Sequence, residues 1–231
     1  PRLLGLVVEE ESGVVYDVLG INGHRASAIL HWNEPLLRAQ LSERRPDLVV
    51  LSYGGNEALD PNLPLDTYAA QTRLAVEKIR ALAPQASCLL VGPLATYPVH
   101  AARMSAVTAI QRSLAPSLGC AFWDSSQTSG GPGTLRRWGR YPGMVSGDHL
   151  HLGPQGYERV GREFAEALLR GLRGIAFDGL GFDEHHASKG ASLVLQRTNT
   201  FDNGNPIGYK WVNLWTVIYT PLLSALCYSI V

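Results

Sequence analysis

The chain has no excess of charge of either sign. Its 231 residues hold 20 basic and 20 acidic side chains, and charged residues make up 17% of the whole. A balanced surface gives no electrostatic reason for nucleic acid or an anionic membrane as partner. Cysteine is scarce: Cys88, Cys120 and Cys227 are too few and too scattered for a metal-ligand pattern. Cys88 and Cys120 lie in apolar, strand-like runs and read as buried free thiols, with a pairing between them left open for a secreted protein. Internal repeats and low-complexity stretches are also missing, which excludes solenoid and fibrous architectures. What is present is an apolar content of 45%, enough for a sizeable core in a domain of ordinary size.

Apolar runs and helical periodicities alternate from residue 14 to 172. Val14 to Gly20, Asp47 to Tyr53, Ser87 to Pro93 and Cys120 to Asp124 read as strands. Helical segments are expected over 25–45, from an Asp66 N-cap to about Ala83, over 100–118 with Gly119 as C-cap, and over 153–172. Pro35 fits the first turn of a second helical piece within 25–45. Strands that alternate with helices predict a parallel sheet covered on both faces, a three-layer α/β/α sandwich. The expected division is a domain over 1–173 and a separate tail over 174–231, irregular and then apolar. Residues 211–231 carry no charge. Membrane contact through this run, a buried terminal segment and foreign sequence joined by a frame error are three open readings, because polar residues such as Asn213 and Pro221 interrupt it.

Three strand ends carry chemistry. After the first strand comes Gly20-Ile-Asn-Gly23, where a backbone N–H of Gly23 would face a crevice at the carboxyl edge of the sheet. After the second comes Tyr53-Gly54-Gly55-Asn56-Glu57, glycines that allow a tight turn and close approach, then an amide able to donate to a developing oxyanion. Just before the last helix, Ser146-Gly-Asp148-His149-Leu-His151 spaces a carboxylate and an imidazole so that Asp148 can hold one ring nitrogen of His151 and leave the other as a base. Neighbouring His149 is assigned no role. Gln127 to Gly147 reads as a long loop, in which Arg136, Arg137 and Trp138 are weak candidates for contact with a sugar or an acidic substrate.

In this order the three motifs resemble the SGNH (GDSL-type) hydrolases, and more narrowly bacterial two-domain members related to peptidoglycan O-acetylesterases. The phrases V-Y-D-V-L-G-I-N-G, Y-G-G-N-E-A and G-G-P-G-T-L-R-R-W carry the narrower likeness. The resemblance implies a serine esterase that removes O-acetyl groups from a carbohydrate such as cell-wall glycan, outside the cytoplasm and without cofactor or metal. It implies His151 as general base, Asp148 as its orienting acid, Gly23 and Asn56 as oxyanion donors, and Gly54 and Gly55 beside the substrate. One motif is missing: the family's nucleophile lies in a G-D-S block, and this sequence contains none. A chain starting at Pro1 reads as a fragment that begins within or after an inserted module. These 231 residues alone are therefore expected to be a poor esterase or an inactive one, and a non-catalytic binding or scaffolding domain is the rival reading. Among the internal serines, Ser12, Ser27, Ser52 and Ser146 each sit in the wrong local context for a strand-to-helix nucleophile turn.

Overall fold

The computed structural model describes residues 14–94, 98–178 and 213–218, with 98–99, 172–178 and 213–218 as backbone only. Five parallel strands form one sheet in the order β1-β5-β2-β3-β4. They are β1 (Val15–Val18), β2 (Leu48–Ser52), β3 (Ser87–Gly92), β4 (Ala121–Asp124) and β5 (Asn213–Ile218). The helices are α1 (Glu34–Arg44), α2 (Gly55–Ala58), α3 (Leu65–Leu82), α4 (Pro98–Ser117), α5 (Ser125–Thr128), α6 (Thr134–Trp138) and α7 (Pro154–Asp178), with a 3₁₀ helix over Ala26–His31.

The period of two along each strand sorts side chains into two cores. Val49 and Leu51 of β2, with Cys88 and Leu90 of β3, pack against Leu37 and Leu41 of α1, Val76 and Ile79 of α3 and Ala115 of α4. Val50, Leu89, Val91 and Trp123 face the opposite way, against Leu135 and Trp138 of α6 and Val160 and Phe164 of α7. Every residue of β2 is buried, as a strand covered on both faces requires. The expected three-layer α/β/α sandwich with a parallel sheet is what forms.

Local expectations hold in some places and shift in others. Pro35 does stand in the first turn of α1, where Asn33 caps by accepting the Leu36 N–H at 2.9 Å. The segment before it is a 3₁₀ helix rather than part of a continuous α-helix. Asp66 lies inside the first turn of α3 and Pro64 occupies the N-cap, because Pro64 holds an extended ψ that the helix then follows. The loop expected over 127–147 overlaps the end of α5 and contains α6.

Three larger differences concern tertiary structure. Cys88 and Cys120 form a disulfide rather than standing as free thiols, because parallel pairing of β3 with β4 brings the two strand starts together. The boundary expected at residue 173 falls within α7, which runs on to Asp178, and the tail is not separate throughout. Asn213–Ile218 returns as β5 and pairs in parallel with both β1 and β2. These six residues of the 211–231 run are thus a sheet strand, and the rest of that run lies outside the described residues. Among the described residues no helix is long and apolar enough to cross a membrane.

The disulfide closes a loop across a sequence separation of 32 between residues that are at most 8% exposed. Replacing both cysteines by Ala is expected to lower the unfolding free energy by roughly 3–4 kcal/mol. Thermal melts with and without reductant check this: the intact protein should melt lower in reductant, and the double variant should be insensitive to it.

Candidate active site

The carboxyl ends of β1 and β2 and the loop before α7 meet at one cavity of about 220 Å³. Its lining includes His24, Ser52, Gly54, Gly55, Asn56 and His151, with Leu59, Leu94, Leu135 and Leu152 as apolar walls. Asn56 and His151, distant in sequence, are thus brought together as expected. Gly23 has a positive φ of 76° but is exposed and outside the lining, one residue before His24, which lies within it. Arg136 and Arg137 are also outside the lining. Arg137 instead braces its own loop, donating to the carbonyls of Pro132 at 2.8 Å and Gly130 at 2.6 Å. Trp138 is buried in the core beneath, with the Arg159 guanidinium over its ring at 4.7 Å.

The D-x-x-H loop is held by its own backbone and by one carboxylate. The Ser146 N–H donates to the His151 carbonyl at 2.9 Å, and Val145 bridges Leu152. His149 takes a left-handed φ of 59°, so the loop is folded rather than extended, and His149 does not line the cavity. Asp148 Oδ1 accepts the N–H groups of Leu150 at 2.9 Å and His151 at 3.0 Å and the Ser146 hydroxyl at 2.7 Å. Its other oxygen, Oδ2, lies 2.6 Å from His151 Nδ1. The His151 backbone N–H first, then the His151 ring, the Leu150 N–H and the Ser146 hydroxyl hold the Asp148 carboxyl well below the usual carboxylate range. An ionised Asp148 makes Nδ1 the protonated nitrogen of a neutral His151 ring, so Nε2 carries the lone pair.

Opposite this pair, β2 ends in a turn that only glycine fits. Gly54 has φ 108°, and a Cβ there would sit 2.8 Å from Val107 Cγ1 and 3.1 Å from Gln111 Nε2. The turn opens α2, whose Asn56 donates through Nδ2 to the His24 carbonyl at 2.9 Å. A primary amide has two N–H groups, so one remains for a ligand oxygen in the cavity. Glu57, next in the chain and 1% exposed, closes the second sequence motif, where it was given no role. It accepts the Ala26 N–H on Oε1 at 2.8 Å and the Gly54 N–H on Oε2 at 3.0 Å. Burial pushes its carboxyl up, against the lowering effect of those donors and of Arg25. The single sign of it in sequence was an acidic residue directly after Asn56.

Ser52 and Ser146 have different surroundings. Ser146 donates its hydroxyl to Asp148. Ser52 ends β2 and is the one serine of the cavity lining among the described residues. Those residues hold no group of three or more His, Cys, Asp or Glu side chains arranged for a metal ion.

The sequence profile of the GDSL-like Lipase/Acylhydrolase family matches residues 1–159. No curated protein sequence matches the chain. A solved structure titled "Peptidoglycan O-acetylesterase in action, 5 min" is similar at 25% identity and a TM-score of 0.60, over 68% of this chain and 46% of that one. The present chain thus spans less than half of that protein's length. An acetylxylan esterase, Axe2 from Geobacillus stearothermophilus, is similar at 18% identity over 70% of this chain and 69% of that one, with a TM-score of 0.48. That second likeness is too distant to indicate a shared substrate.

Two outcomes test this geometry. Gly54→Ala is expected to destabilise the fold by about 2 kcal/mol or more, since it meets both a positive φ and a packed wall. Gly55→Ala, with nothing within 4 Å of its added methyl, should change stability by less than about 1 kcal/mol; denaturant titrations of the two variants give the contrast. The depressed Asp148 carboxyl makes a pH prediction. Its contribution to loop stability is present above about pH 4, the unfolded-state value, and is lost only as pH falls through the lower native one. The amide resonances of Leu150 and His151 should therefore hold steady on acidification to about pH 4 and move only below it. A midpoint at the ordinary carboxylate value would contradict the hydrogen-bond set.

Proposed function

Because the chain belongs to the GDSL-like lipase/acylhydrolase family, we propose that it comes from a carboxylic ester hydrolase that removes O-acetyl groups from a carbohydrate such as cell-wall glycan. The observation that carries the reading is the 2.6 Å pair of His151 Nδ1 and Asp148 Oδ2, placed so that His151 shares a cavity with Asn56. In this reading His151 Nε2 takes the proton of an attacking serine hydroxyl and returns it to the leaving sugar hydroxyl. Asp148 fixes the tautomer and stabilises the imidazolium that forms. The acetyl carbonyl oxygen becomes negative in the tetrahedral intermediate and is met by the Asn56 amide and the Gly23 backbone N–H. Gly54 and Gly55 let the acyl group approach the backbone. Water then repeats the sequence on the acyl-enzyme and releases acetate.

Similarity to the O-acetylesterase structure supports a glycan ester as substrate. This reading puts the substrate, a polymeric glycan, outside the cytoplasm, and the disulfide between Cys88 and Cys120 is in keeping with an oxidising compartment.

One observation favours a second reading, a glycan-binding or scaffolding domain without catalysis. Ser146 is committed to Asp148, and Ser52 lies within β2, with Tyr53 between it and the Gly54 N-cap of α2, rather than on the strand-to-helix turn itself. Ester turnover and a serine-directed phosphonate separate the two. In the full-length protein, p-nitrophenyl acetate turnover should fall by about 10² or more on His151→Ala and survive His149→Ala. Equal loss from both would assign the base wrongly. Stoichiometric phosphonate labelling that requires His151 supports the hydrolase, and no labelling favours the binding domain. Labelling that persists in Ser52→Ala and Ser146→Ala excludes both residues as the attacking hydroxyl.

A further inference from the structure

Glu57 is a buried titratable group that the catalytic steps leave unused. Its carboxylate is nearly inaccessible to water and spans two segments far apart in sequence. One oxygen accepts from Ala26, in the segment that continues from Gly23 and His24. The other accepts from Gly54, in the turn that precedes Asn56. The reach to Gly54 is half of a capping box at the start of α2, and glycine has no side chain with which to complete it. A cap would need one oxygen, and the second goes across to the other segment. The same two segments are joined again by the Asn56 amide on the His24 carbonyl at 2.9 Å and by Arg25 with Asp60 at 2.8 Å.

Deepening the hydrolase reading and resting on it, we propose that Glu57 is a positioning residue that clamps the Gly23 and Asn56 segments together, so that their N–H donors meet one oxyanion. The donors stand on separate loops, each at the end of a different strand. Their separation is set by whatever ties the loops, and a rigid carboxylate bonded at both ends sets it more tightly than either loop does alone. Oxyanion stabilisation depends on preorganised donors, and small displacements are costly there. The Glu57 main chain is anchored from behind, since Arg103 of α4 donates to its carbonyl at 3.4 Å.

Glu57→Gln keeps shape and one acceptor oxygen but turns the other into a donor, so one of the two amides loses its partner. Amide exchange at Ala26 and Gly54 should accelerate in this variant while exchange in β2 and β3 is unchanged. For p-nitrophenyl acetate, kcat should fall by about 10-fold to 10²-fold, with KM within about twofold of the unaltered protein. A folded Glu57→Gln protein with unchanged kcat and unchanged exchange overturns the proposal, as does a fall in stability with kcat per folded molecule intact. If the variant does not fold, the unaltered protein decides. Ala26 and Gly54 must then exchange with matching protection, and an unprotected Ala26 amide sinks the clamp. His151→Ala in the same assay keeps the two claims apart. Turnover indifferent to His151 removes the hydrolase reading, whereas the exchange measurements still judge Glu57.

Discussion

Backbone N–H groups that leave a β-ladder must find another acceptor, and at the carboxyl edge of this sheet side-chain oxygens supply it. Glu57 takes up Ala26 and Gly54, Asp124 takes up Gln127 where β4 passes into α5, and Asp148 takes up Leu150 and His151. The turns are sharp because parallel strands must hand over at once to helices that cover the faces. Each sharp turn strands a few donors, and a carboxylate satisfies one or two of them at a time. The chemistry proposed for the site grows from this requirement: the oxygen of Asp148 not engaged by the backbone is the one that meets the His151 ring.

Such an arrangement makes the cavity polar in few places. Leu59, Leu94, Leu135 and Leu152 form much of its wall, and the hydrogen-bonding groups come from the turns after β1 and β2, the loop before α7 and Tyr157. An acetyl group suits that division, with a methyl for the apolar wall and a carbonyl oxygen for the donors. The alternation of β2 explains why both kinds of group are available. Val50 faces the α6 and α7 layer, and Ser52, two residues on along the same strand, lines the cavity above it.

Features governed by local pattern were legible in the sequence. The run from Asp47 to Tyr53 is a strand because uninterrupted β-branched and aliphatic residues suit two buried faces, and it ends where Gly54 must turn. That Asn56 and His151 would line one cavity was readable because motif order along the chain put both in turns at one edge of the sheet. Pairings between distant residues were not. The Cys88–Cys120 bond depends on β3 and β4 being neighbours in register, which two apolar runs do not disclose. Arg137 resembled a ligand contact because its carbonyl partners, Gly130 and Pro132, carry no signature of their own. Glu57 was quoted with its motif but given no role, because a single acidic residue does not reveal that its second oxygen serves a segment thirty-one positions away.

The strand order has a consequence for synthesis. Leu48 of β2 pairs with Leu214, and Val15 of β1 with Asn213, so β5 is the piece that joins β1 to the rest of the sheet. A chain emerging from the ribosome presents β1 to β4 long before β5 exists, and the two ladder edges that will receive it wait unpaired. Open edges of this kind invite association with other nascent chains. Closure of the sheet is therefore a late, high-contact-order event.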